Sequence, residues 1–501
     1  MTVTTKGPLP SEPYDVTVVG AGVVGSAIAR ELAGHHRLRV ALVEASGDVG
    51  DGTSKANTAI LHTGFDAVPG SLESRLVREG QRLLAAYAAE SGIPVEPVGA
   101  LLVAWDEEQL AALPGLLEKA EANGYNGARI IDADEVRSRE PHLGEGALGA
   151  LDVPGESIIC PWTTTLAYAT QAVRGGVDLH LNCEVERVGS WESPPAPAPA
   201  PPPDSDSDSD SASSGGSVCH ELTTSRGAVR TRYLINAAGL HADVLDRRLL
   251  GRGEFTVTPR RGQLIVFDKL ARDLVRHILL PVPTALGKGV LVAPTVYGNV
   301  LLGPTAEELD DKRATGTTED GLAGLRAKGR RILPALLDEE VTAVYAGLRA
   351  ATEHDDYQIH SSPEARYITV GGIRSTGLTA SMAIAEYVVG LLADAAGPDL
   401  DLTVAGDLDP VGMPNLGEAF PRPYQRADLI ATDSAYGSII CHCERVTRGE
   451  IRDALISTVP PGSLEGLRRR TRARGGRCQG FYCGAAVREL FDGWGESGAA
   501  C

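Results

Sequence analysis

The sequence is poor in positive charge and has no long apolar run, and each shortage excludes a class of protein. Its 501 residues include 47 Lys and Arg against 66 Asp and Glu, which gives a net charge of −19. Nucleic-acid binding depends on neutralising phosphates, and anionic membranes attract basic surfaces, so we expect neither partner. No uninterrupted apolar stretch reaches the ~20 residues that span a bilayer, so we expect no direct membrane insertion.

An N-terminal apolar segment and a dense cysteine pattern are also missing. Residues 1–13 contain one Lys and no apolar core of a signal peptide, so we expect a disordered tail and a cytoplasmic location. Eight cysteines in 501 residues are too few for a fold that depends on disulfide bonds for its stability. Hydrophobic residues make up 43% of the chain, which is enough for a sizeable core and excludes a wholly disordered protein.

A strand–helix–strand unit with a glycine-rich turn begins at Tyr14. Gly20, Gly22 and Gly25 form G-x-G-x-x-G, and Glu44 follows 19 residues after the third glycine. The glycines permit a tight turn, close approach of a pyrophosphate and close packing of helix on strand, while the acid suits a ribose hydroxyl. This pattern predicts a dinucleotide site. No Arg follows Glu44 closely, which disfavours NADP, but the motif alone leaves FAD and NAD open.

Two later segments favour FAD. Residues 232–243 form a predicted strand that ends in small residues, which suits close approach of an adenine nucleotide. Residues 371–381 read as a strand, a turn between glycines and a helix. A helix N-terminus at the pyrimidine edge of a flavin would stabilise the negative charge of the reduced ring. The alternative interpretation of this segment is an ordinary strand-to-helix turn.

The last 61 residues hold two close cysteine pairs, Cys441 with Cys443 and Cys478 with Cys483. Four thiolates suit either a [2Fe–2S] cluster or a structural zinc ion, and the spacing leaves both open. His442 is not needed as a ligand. Six arginines between residues 468 and 477 either offset the negative charge of such a site or form a solvated basic face.

Several motifs resemble those of D-amino-acid-oxidase-type FAD oxidoreductases. They are TSKANTAILHTG at 53–64, NAAG at 236–239, GLR at 347–349 and GIRSTGLT at 372–379. Within that superfamily, the chain is most similar to the large subunit of anaerobic glycerol-3-phosphate dehydrogenase, with L-2-hydroxyglutarate dehydrogenase as a near relative. The C-terminal cysteines with R-R-x-R-x-R resemble the bacterioferritin-associated-ferredoxin-like [2Fe–2S] domain.

The resemblance implies roles for individual residues. His62 would be the catalytic base, Arg349 would bind the substrate anion, and Arg374 would clamp the same anion. The alternatives are a structural histidine at 62 and a surface ion pair at 349. His62 is followed by Thr63 and Gly64, whereas the glycerol-phosphate enzymes commonly have two glycines, Leu and Arg there. Non-covalent FAD would be held by Gly20, Gly22, Gly25, Glu44, Thr53, Ser54, Asn57, Ala238, Gly239, Gly372, Arg374, Gly377, Leu378 and Thr379, and the cluster by Cys441, Cys443, Cys478 and Cys483.

The expected fold is α/β, with a Rossmann-like FAD-binding domain, an interleaved antiparallel β substrate domain and a small helical [2Fe–2S] domain. The expected segments are 14–90, 151–250 and 345–400 for the FAD-binding domain, 91–150 and 251–344 for the substrate domain, 401–434 for a linker, and 435–497 for the cluster domain. The Pro-, Asp- and Ser-rich residues 193–217 are expected to be a disordered loop inserted between two paired strands.

The expected function is that of an FAD-dependent dehydrogenase acting on a small anionic secondary alcohol, either a glycerol phosphate or a 2-hydroxy acid. Hydride would pass to flavin N5, and electrons would leave through the cluster to an acceptor protein or a quinone-linked subunit. Two alternatives remain at this stage. One is an amine or amino-acid oxidase of the same superfamily, and the other is a non-catalytic flavin and iron–sulfur electron-transfer subunit.

Overall fold

The computed structural model describes residues 3–35, 38–192, 218–251, 253–283, 289–406 and 408–498. The strands are β1 Val3–Thr4, β2 Tyr14–Val19, β3 Val40–Val43, β4 Ile60–Leu61, β5 Val95–Glu96, β6 Ala100–Ala104, β7 Arg129–Asp132, β8 Gly149–Val153, β9 Ser157–Ile159, β10 Asp178–His180, β11 Val185–Glu192, β12 Val218–Thr224, β13 Gly227–Asn236, β14 Thr258–Phe267, β15 Ile278–Pro281, β16 Leu291–Pro294, β17 Val300–Gly303, β18 Glu307–Glu308, β19 Val341–Ala351, β20 Gln358–Ser362, β21 Tyr367–Gly371, β22 Ile439–Cys441 and β23 Val446–Thr447. The helices are α1 Val23–Ala33, α2 Leu72–Ser91, α3 Glu107–Ala122, α4 Ala133–Arg139, α5 Pro161–Arg174, α6 Ala242–Leu250, α7 Glu319–Ile332, α8 Gly377–Ala396, α9 Ala427–Thr432, α10 Arg448–Leu455, α11 Leu464–Thr471 and α12 Gly484–Gly498.

The first sheet carries the predicted nucleotide-binding unit. Strands β1, β10, β3, β2, β13 and β21 run parallel in that order. The expectation of a disordered tail over residues 1–13 is wrong for Val3 and Thr4, because they pair with Leu179 and His180. The apolar sequences of β2 and β3 are almost entirely buried, because helices cover the sheet and α1 packs against both α5 and α8. This arrangement confirms the expected Rossmann-like α/β class.

The second sheet has nine strands and is antiparallel apart from the β6–β15 pair. Its longest pairing joins β14 to β19, from Thr258 opposite Ala351 to Phe267 opposite Val341. The expected domain boundary at residue 345 therefore falls inside a strand of this sheet. Because β19 leads into β20 and β21, it carries the chain from the second sheet back to the first.

Strands β11 and β12 form the hairpin at the end of the first sheet, with pairing that runs from Val185 opposite Thr224 to Glu192 opposite Val218. The flanks of the inserted tract thus pair as the sequence predicted. The tract itself, residues 193–217, lies outside the described residues.

Helix α8 belongs to the interior of the first domain. The stretch Gly377–Asp399 is long and apolar enough to cross a membrane by length and composition, yet more than half of its most apolar part is buried inside the protein. The helix packs against α1 and α2, so its apolar character is explained by core packing.

The C-terminal region is a small helical unit around the β22–β23 hairpin. Its core contains Val446, Ile451, Leu467 and Val487 together with two of the cysteines. The preceding segment, expected to be a linker, contributes a buried Arg422 whose guanidinium donates to Glu450 Oε1 at 2.9 Å. This ion pair ties the segment to helix α10.

Candidate functional site

The glycine-rich turn has the close contacts that its motif predicts. Gly20 has φ +101°, and a Cβ built on it would lie 2.5 Å from the Ala237 carbonyl oxygen. A Cβ on Gly25 would lie 1.9 Å from the Gly20 carbonyl oxygen. Only glycine fits at both positions, because one needs a positive φ and the other lets α1 pack directly on the turn.

The N-terminus of α1 forms a cradle that suits a pyrophosphate. Val23 N donates to Ser54 Oγ at 2.9 Å, and Ala21 N donates to Glu44 Oε2 at 2.7 Å. Among the described residues, no protein group accepts from the N–H groups of Val24 and Gly25. Unpartnered amides at a helix N-terminus bind anions, so this cradle fits the phosphates of FAD.

Glu44 sits at the end of β3 with a buried carboxylate. Burial raises its pKa, while hydrogen bonds from the Ser46 and Ala21 amides act in the opposite direction. The side chain is thereby held beside the glycine turn, at the place where an acid would hold a ribose hydroxyl.

The segment 53–57 is hydrogen-bonded to β19, the strand that contains Arg349. Thr53 Oγ1 donates to the Leu348 carbonyl at 2.9 Å, and Tyr345 Oη donates to the Asn57 carbonyl at 2.8 Å. A Cβ on Gly347 would lie 2.2 Å from the Ala56 carbonyl oxygen. Two motifs almost 300 residues apart in sequence are therefore neighbours in the fold.

His62 is paired with a carboxylate that the sequence analysis missed. Its Nδ1 lies 2.9 Å from Glu156 Oε2, and Glu156 is fully buried. The other carboxylate oxygen accepts from Thr63 N at 2.7 Å and from Thr63 Oγ1 at 2.9 Å. The available signal was two acids, Asp152 and Glu156, inside the largely apolar stretch 150–159, since a buried acid needs a partner.

The turn before α8 contributes the next contacts. His62 N donates to Thr379 Oγ1 at 3.0 Å, so the first turn of α8 lies against the histidine. The Arg374 guanidinium lies 3.5 Å from both Glu73 and Asp355. Two carboxylates therefore already face Arg374, the residue expected to clamp the substrate anion.

The remaining predicted FAD residues lie at turns between strands and helices. Ala238 and Gly239 follow β13, and Ala238 N donates to Asn236 Oδ1 at 3.1 Å. Gly372 has φ +66° and follows β21, while Gly377 and Leu378 begin α8.

Arg349 differs from its neighbours in lacking an acidic partner. Within the described part of the chain, no carboxylate lies within ion-pair distance of it, and its only hydrogen bond is to the Thr305 carbonyl at 3.4 Å. Arg260 and Arg261 on the adjacent strand bind Glu308 and Glu307, each at 2.6 Å. Burial, followed by the nearby charge of Arg260, lowers the pKa of Arg349. A half-buried guanidinium in this position favours an anionic ligand.

The four C-terminal cysteines lie together as two contacting pairs. The Cys443 thiol contacts that of Cys478, and the Cys441 thiol contacts that of Cys483. Among the described residues, no three His, Cys, Asp or Glu side chains are arranged to hold a single metal ion. Four thiols brought together in this way are the ligand set of a [2Fe–2S] cluster or of a structural zinc ion.

Backbone amides surround the same sulfurs. Hydrogen bonds from the backbone of Tyr482, together with Gly480 and Phe481, lower the pKa of Cys478 against the effect of burial. Burial raises the pKa of Cys483 to about 12, with Cys441 acting in the same direction. The loop 478–483 thus offers N–H groups to a sulfur, as an anionic cluster requires.

The arginine run joins the cluster domain to the FAD-binding domain. Arg470 binds both carboxylate oxygens of Asp48 at 2.7 Å, and Arg469 binds Asp48 at 3.1 Å and Asp51 at 2.8 Å. Arg469, Arg470 and Arg472 are each at most 6% exposed. The interpretation as a solvated basic face is therefore wrong for these three, because each is buried against a partner.

Comparisons with known proteins agree with this geometry. Residues 15–391 match the family model for FAD dependent oxidoreductase, and residues 439–492 match that for the BFD-like [2Fe-2S] binding domain. The chain belongs to the FAD dependent oxidoreductase family. As a member of this family it is an FAD-dependent oxidoreductase with a [2Fe–2S] domain, and both expected cofactors are confirmed.

Individual relatives of this FAD-dependent oxidoreductase are also informative. It is 35% identical over 480 residues to glycerol 3-phosphate dehydrogenase of Caloramator mitchellensis, with 95% of this chain and 93% of the relative covered. It is 30% identical over 303 residues to mitochondrial L-2-hydroxyglutarate dehydrogenase of Nematostella vectensis, with 59% and 63% covered. The solved structure of dithionite-reduced L-alpha-glycerophosphate oxidase from Mycoplasma pneumoniae with FAD bound superposes with a TM-score of 0.69 at 28% identity, covering 81% of this chain and 100% of that one.

Proposed function

We propose that this oxidoreductase is a dehydrogenase of small anionic secondary alcohols, with glycerol 3-phosphate as the first candidate and 2-hydroxy acids as the second. The observation that carries the proposal is Arg349, whose guanidinium has no carboxylate partner among the described residues while both neighbouring arginines have one. A planar guanidinium binds phosphate or carboxylate through two parallel hydrogen bonds. The similarity to glycerol 3-phosphate dehydrogenase along 95% of the chain supports phosphate as the anion.

His62 is proposed as the base that takes the hydroxyl proton of the substrate. Glu156 holds Nδ1 at 2.9 Å, which fixes the orientation of the ring and stabilises the imidazolium formed when the other nitrogen accepts a proton. The carboxylate is itself held by Thr63, so the pair is rigid before substrate arrives. Glu156 is therefore a positioning residue.

FAD, when bound, supplies the hydride acceptor at flavin N5. The chain would hold its pyrophosphate at the α1 N-terminus, its ribose at Glu44 and its ring beside residues 53–62 and the first turn of α8. The four cysteines would hold the cluster as a one-electron exit toward an acceptor protein or a quinone-linked subunit. Arg374 is still proposed to lie at the edge of the flavin, where Glu73 and Asp355 balance its charge.

The test is anaerobic bleaching of the bound flavin by a panel of compounds. The panel contains glycerol 3-phosphate, L-2-hydroxyglutarate, lactate, an amino acid and uncharged glycerol as the matched control. We expect one anionic alcohol to bleach the flavin and glycerol to leave it oxidised. Bleaching by the amino acid alone would identify an amine oxidase, and no bleaching by any compound would favour a non-catalytic electron-transfer subunit.

The cluster is tested separately. Cys441→Ser and Cys478→Ser should lose iron, because thiolates are the required ligands, whereas Cys219→Ser in the first domain should keep it. Flavin bleaching by substrate should persist in both cluster variants. If a variant that has lost its iron still turned over normally with every acceptor, the cluster would not be the route by which electrons leave the enzyme.

A further inference from the structure

A column of three side chains crosses the boundary between the FAD-binding domain and the cluster domain. The rings of Trp162 and Tyr297 stack with centroids 4.9 Å apart and planes 20° apart. The Arg472 guanidinium carbon lies 4.4 Å from the Tyr297 ring centroid and 5.8 Å from that of Trp162. We call Trp162, Tyr297 and Arg472 the crossing column.

Each end of the crossing column contacts a segment proposed to hold a cofactor. Trp162 Nε1 donates to the Lys55 carbonyl at 3.1 Å, within the segment proposed to lie beside the flavin. Arg472 Nε donates to Glu444 Oε2 at 3.1 Å, and Glu444 directly follows Cys443. The column therefore makes a continuous packed connection between the two cofactor-binding segments.

Arg472 occupies a backbone conformation that favours glycine. It ends α11 with φ +71°, and it is only 6% exposed. Glycine is the usual residue at such a helix end, so an arginine persists there only if its surroundings require the side chain. Those surroundings are Glu444, the Tyr297 ring and the Asn299 side-chain oxygen, which accepts from Arg472 at 3.0 Å.

We propose that electrons pass between flavin and cluster through the crossing column, with Arg472 as the positioning residue that holds the cluster domain against the aromatic pair. This inference rests on the proposed function, in which the cluster is the electron exit. Two passages would oxidise reduced FAD: each would move one electron and reduce one cluster iron from Fe³⁺ to Fe²⁺, and the single proton that arrived with the hydride at N5 would go to water over the two passages. Between the passages, an external one-electron acceptor would take the first electron from the cluster.

The test measures electron passage without the substrate. A laser flash on a deazaflavin, with an amine as the sacrificial electron donor, injects single electrons into the holoenzyme. Absorbance then follows the redistribution of these electrons between the flavin and the cluster. Electron paramagnetic resonance of samples frozen after the flash reports the reduced cluster. Arg472→Gly removes the guanidinium while favouring the local backbone, and Trp162→Leu breaks the stack from the other domain.

Both variants should slow the redistribution roughly 10- to 100-fold, the scale on which a misplacement of about 1 Å slows a reaction between positioned groups. Iron and FAD contents should match the wild type. Arg366→Gly is the matched control, because Arg366 also has a positive φ of 49° and stacks on a tyrosine, at 5.2 Å from the Tyr233 ring. Trp105→Leu, another tryptophan beneath an arginine, is the second control.

Wild-type redistribution in Arg472→Gly and Trp162→Leu would overturn the proposal, as would equal slowing in the two controls. If Arg472→Gly loses iron, the rate in Trp162→Leu alone tests the proposed route, because Trp162 lies outside the cluster domain. Failure of every candidate substrate to bleach the flavin would refute the proposed dehydrogenase and leave the flash result unaffected. The two proposals can thus fail separately.

Discussion

Arg349 at the proposed substrate site and the arginines at the cluster-domain boundary are used in opposite ways. Arg349 has no carboxylate partner in the described residues, whereas Arg469 and Arg470 share the buried Asp48. Desolvated charges persist in proteins when they are paired, so an unpaired one near a cofactor site indicates a ligand and a paired one indicates assembly. Changes at the first place should therefore affect chemistry, and changes at the second should affect stability.

His62→Ala is the change expected to affect chemistry most. Loss of a general base should slow flavin reduction by substrate ~10²–10⁴-fold, while FAD content stays near that of the wild type. Stopped-flow bleaching under anaerobic conditions measures the rate. His277→Ala is a matched control, because His277, which directly precedes β15, also pairs with a buried carboxylate, Glu140, but away from the proposed FAD. An unchanged rate in His62→Ala would assign the His62–Glu156 pair to structure alone.

Asp48→Ala should have the largest effect on stability. It leaves the buried Arg470 guanidinium without a carboxylate and Arg469 with Asp51 alone, at a cost of about 3–5 kcal/mol. Denaturant unfolding and proteolysis of the C-terminal domain would report the loss. In Glu465→Ala, which removes an exposed partner of Arg468, the loss should stay within about 1 kcal/mol. Equal stability of the two variants would contradict the assembly role of Asp48.

Arg349→Lys should weaken substrate binding without destabilising the fold. Replacing the planar fork by a point charge should cost about 1.5–3 kcal/mol, or roughly 10- to 100-fold in affinity. Titration of the flavin spectrum with substrate or a competing anion measures the affinity. Arg260→Lys, whose partner Glu308 is exposed, should bind normally. Unchanged affinity in Arg349→Lys would remove Arg349 from the site.

The smallest expected effect is the pH dependence of stability that Asp268 contributes at the domain boundary. Burial opposes ionisation of Asp268, but the hydrogen bond from Arg477 and others outweigh it, so the pKa of Asp268 is lower than usual. A carboxylate with a lowered folded-state pKa stabilises the fold above its unfolded pKa and loses this effect as pH falls through the folded value. We expect the contribution to be constant near neutrality and lost only below about pH 4. Unfolding curves of wild type and Asp268→Asn should therefore converge in acid, and a difference that persists there would contradict this assignment.

The sequence was sufficient for features whose determinants lie close together along the chain. The glycines at 20, 22 and 25 with Glu44 specify a local strand–helix–strand unit, and the structure has that unit with its close contacts. The pairing of β11 with β12 also followed from the strand-like sequences on either side of the insertion. Such local patterns depend on backbone geometry that a short segment determines.

Contacts between distant segments could not be predicted in this way. Glu156 lies 94 residues after His62, and Asp48 lies more than 400 before Arg470. The arginine run looked like a charge balance for the cluster, because the sequence does not show which surface it faces. Such partners are determined by tertiary packing, which brings together side chains from segments that are distant along the chain.

One loop of the first domain links cofactor binding to domain docking. Residues 44–57 carry Glu44 and Ser54 toward the proposed FAD, and the same loop carries Asp48 and Asp51 toward the arginines of the cluster domain. Because coupling between two sites is reciprocal, any tightening of cluster-domain docking by bound FAD should tighten FAD binding by the same factor.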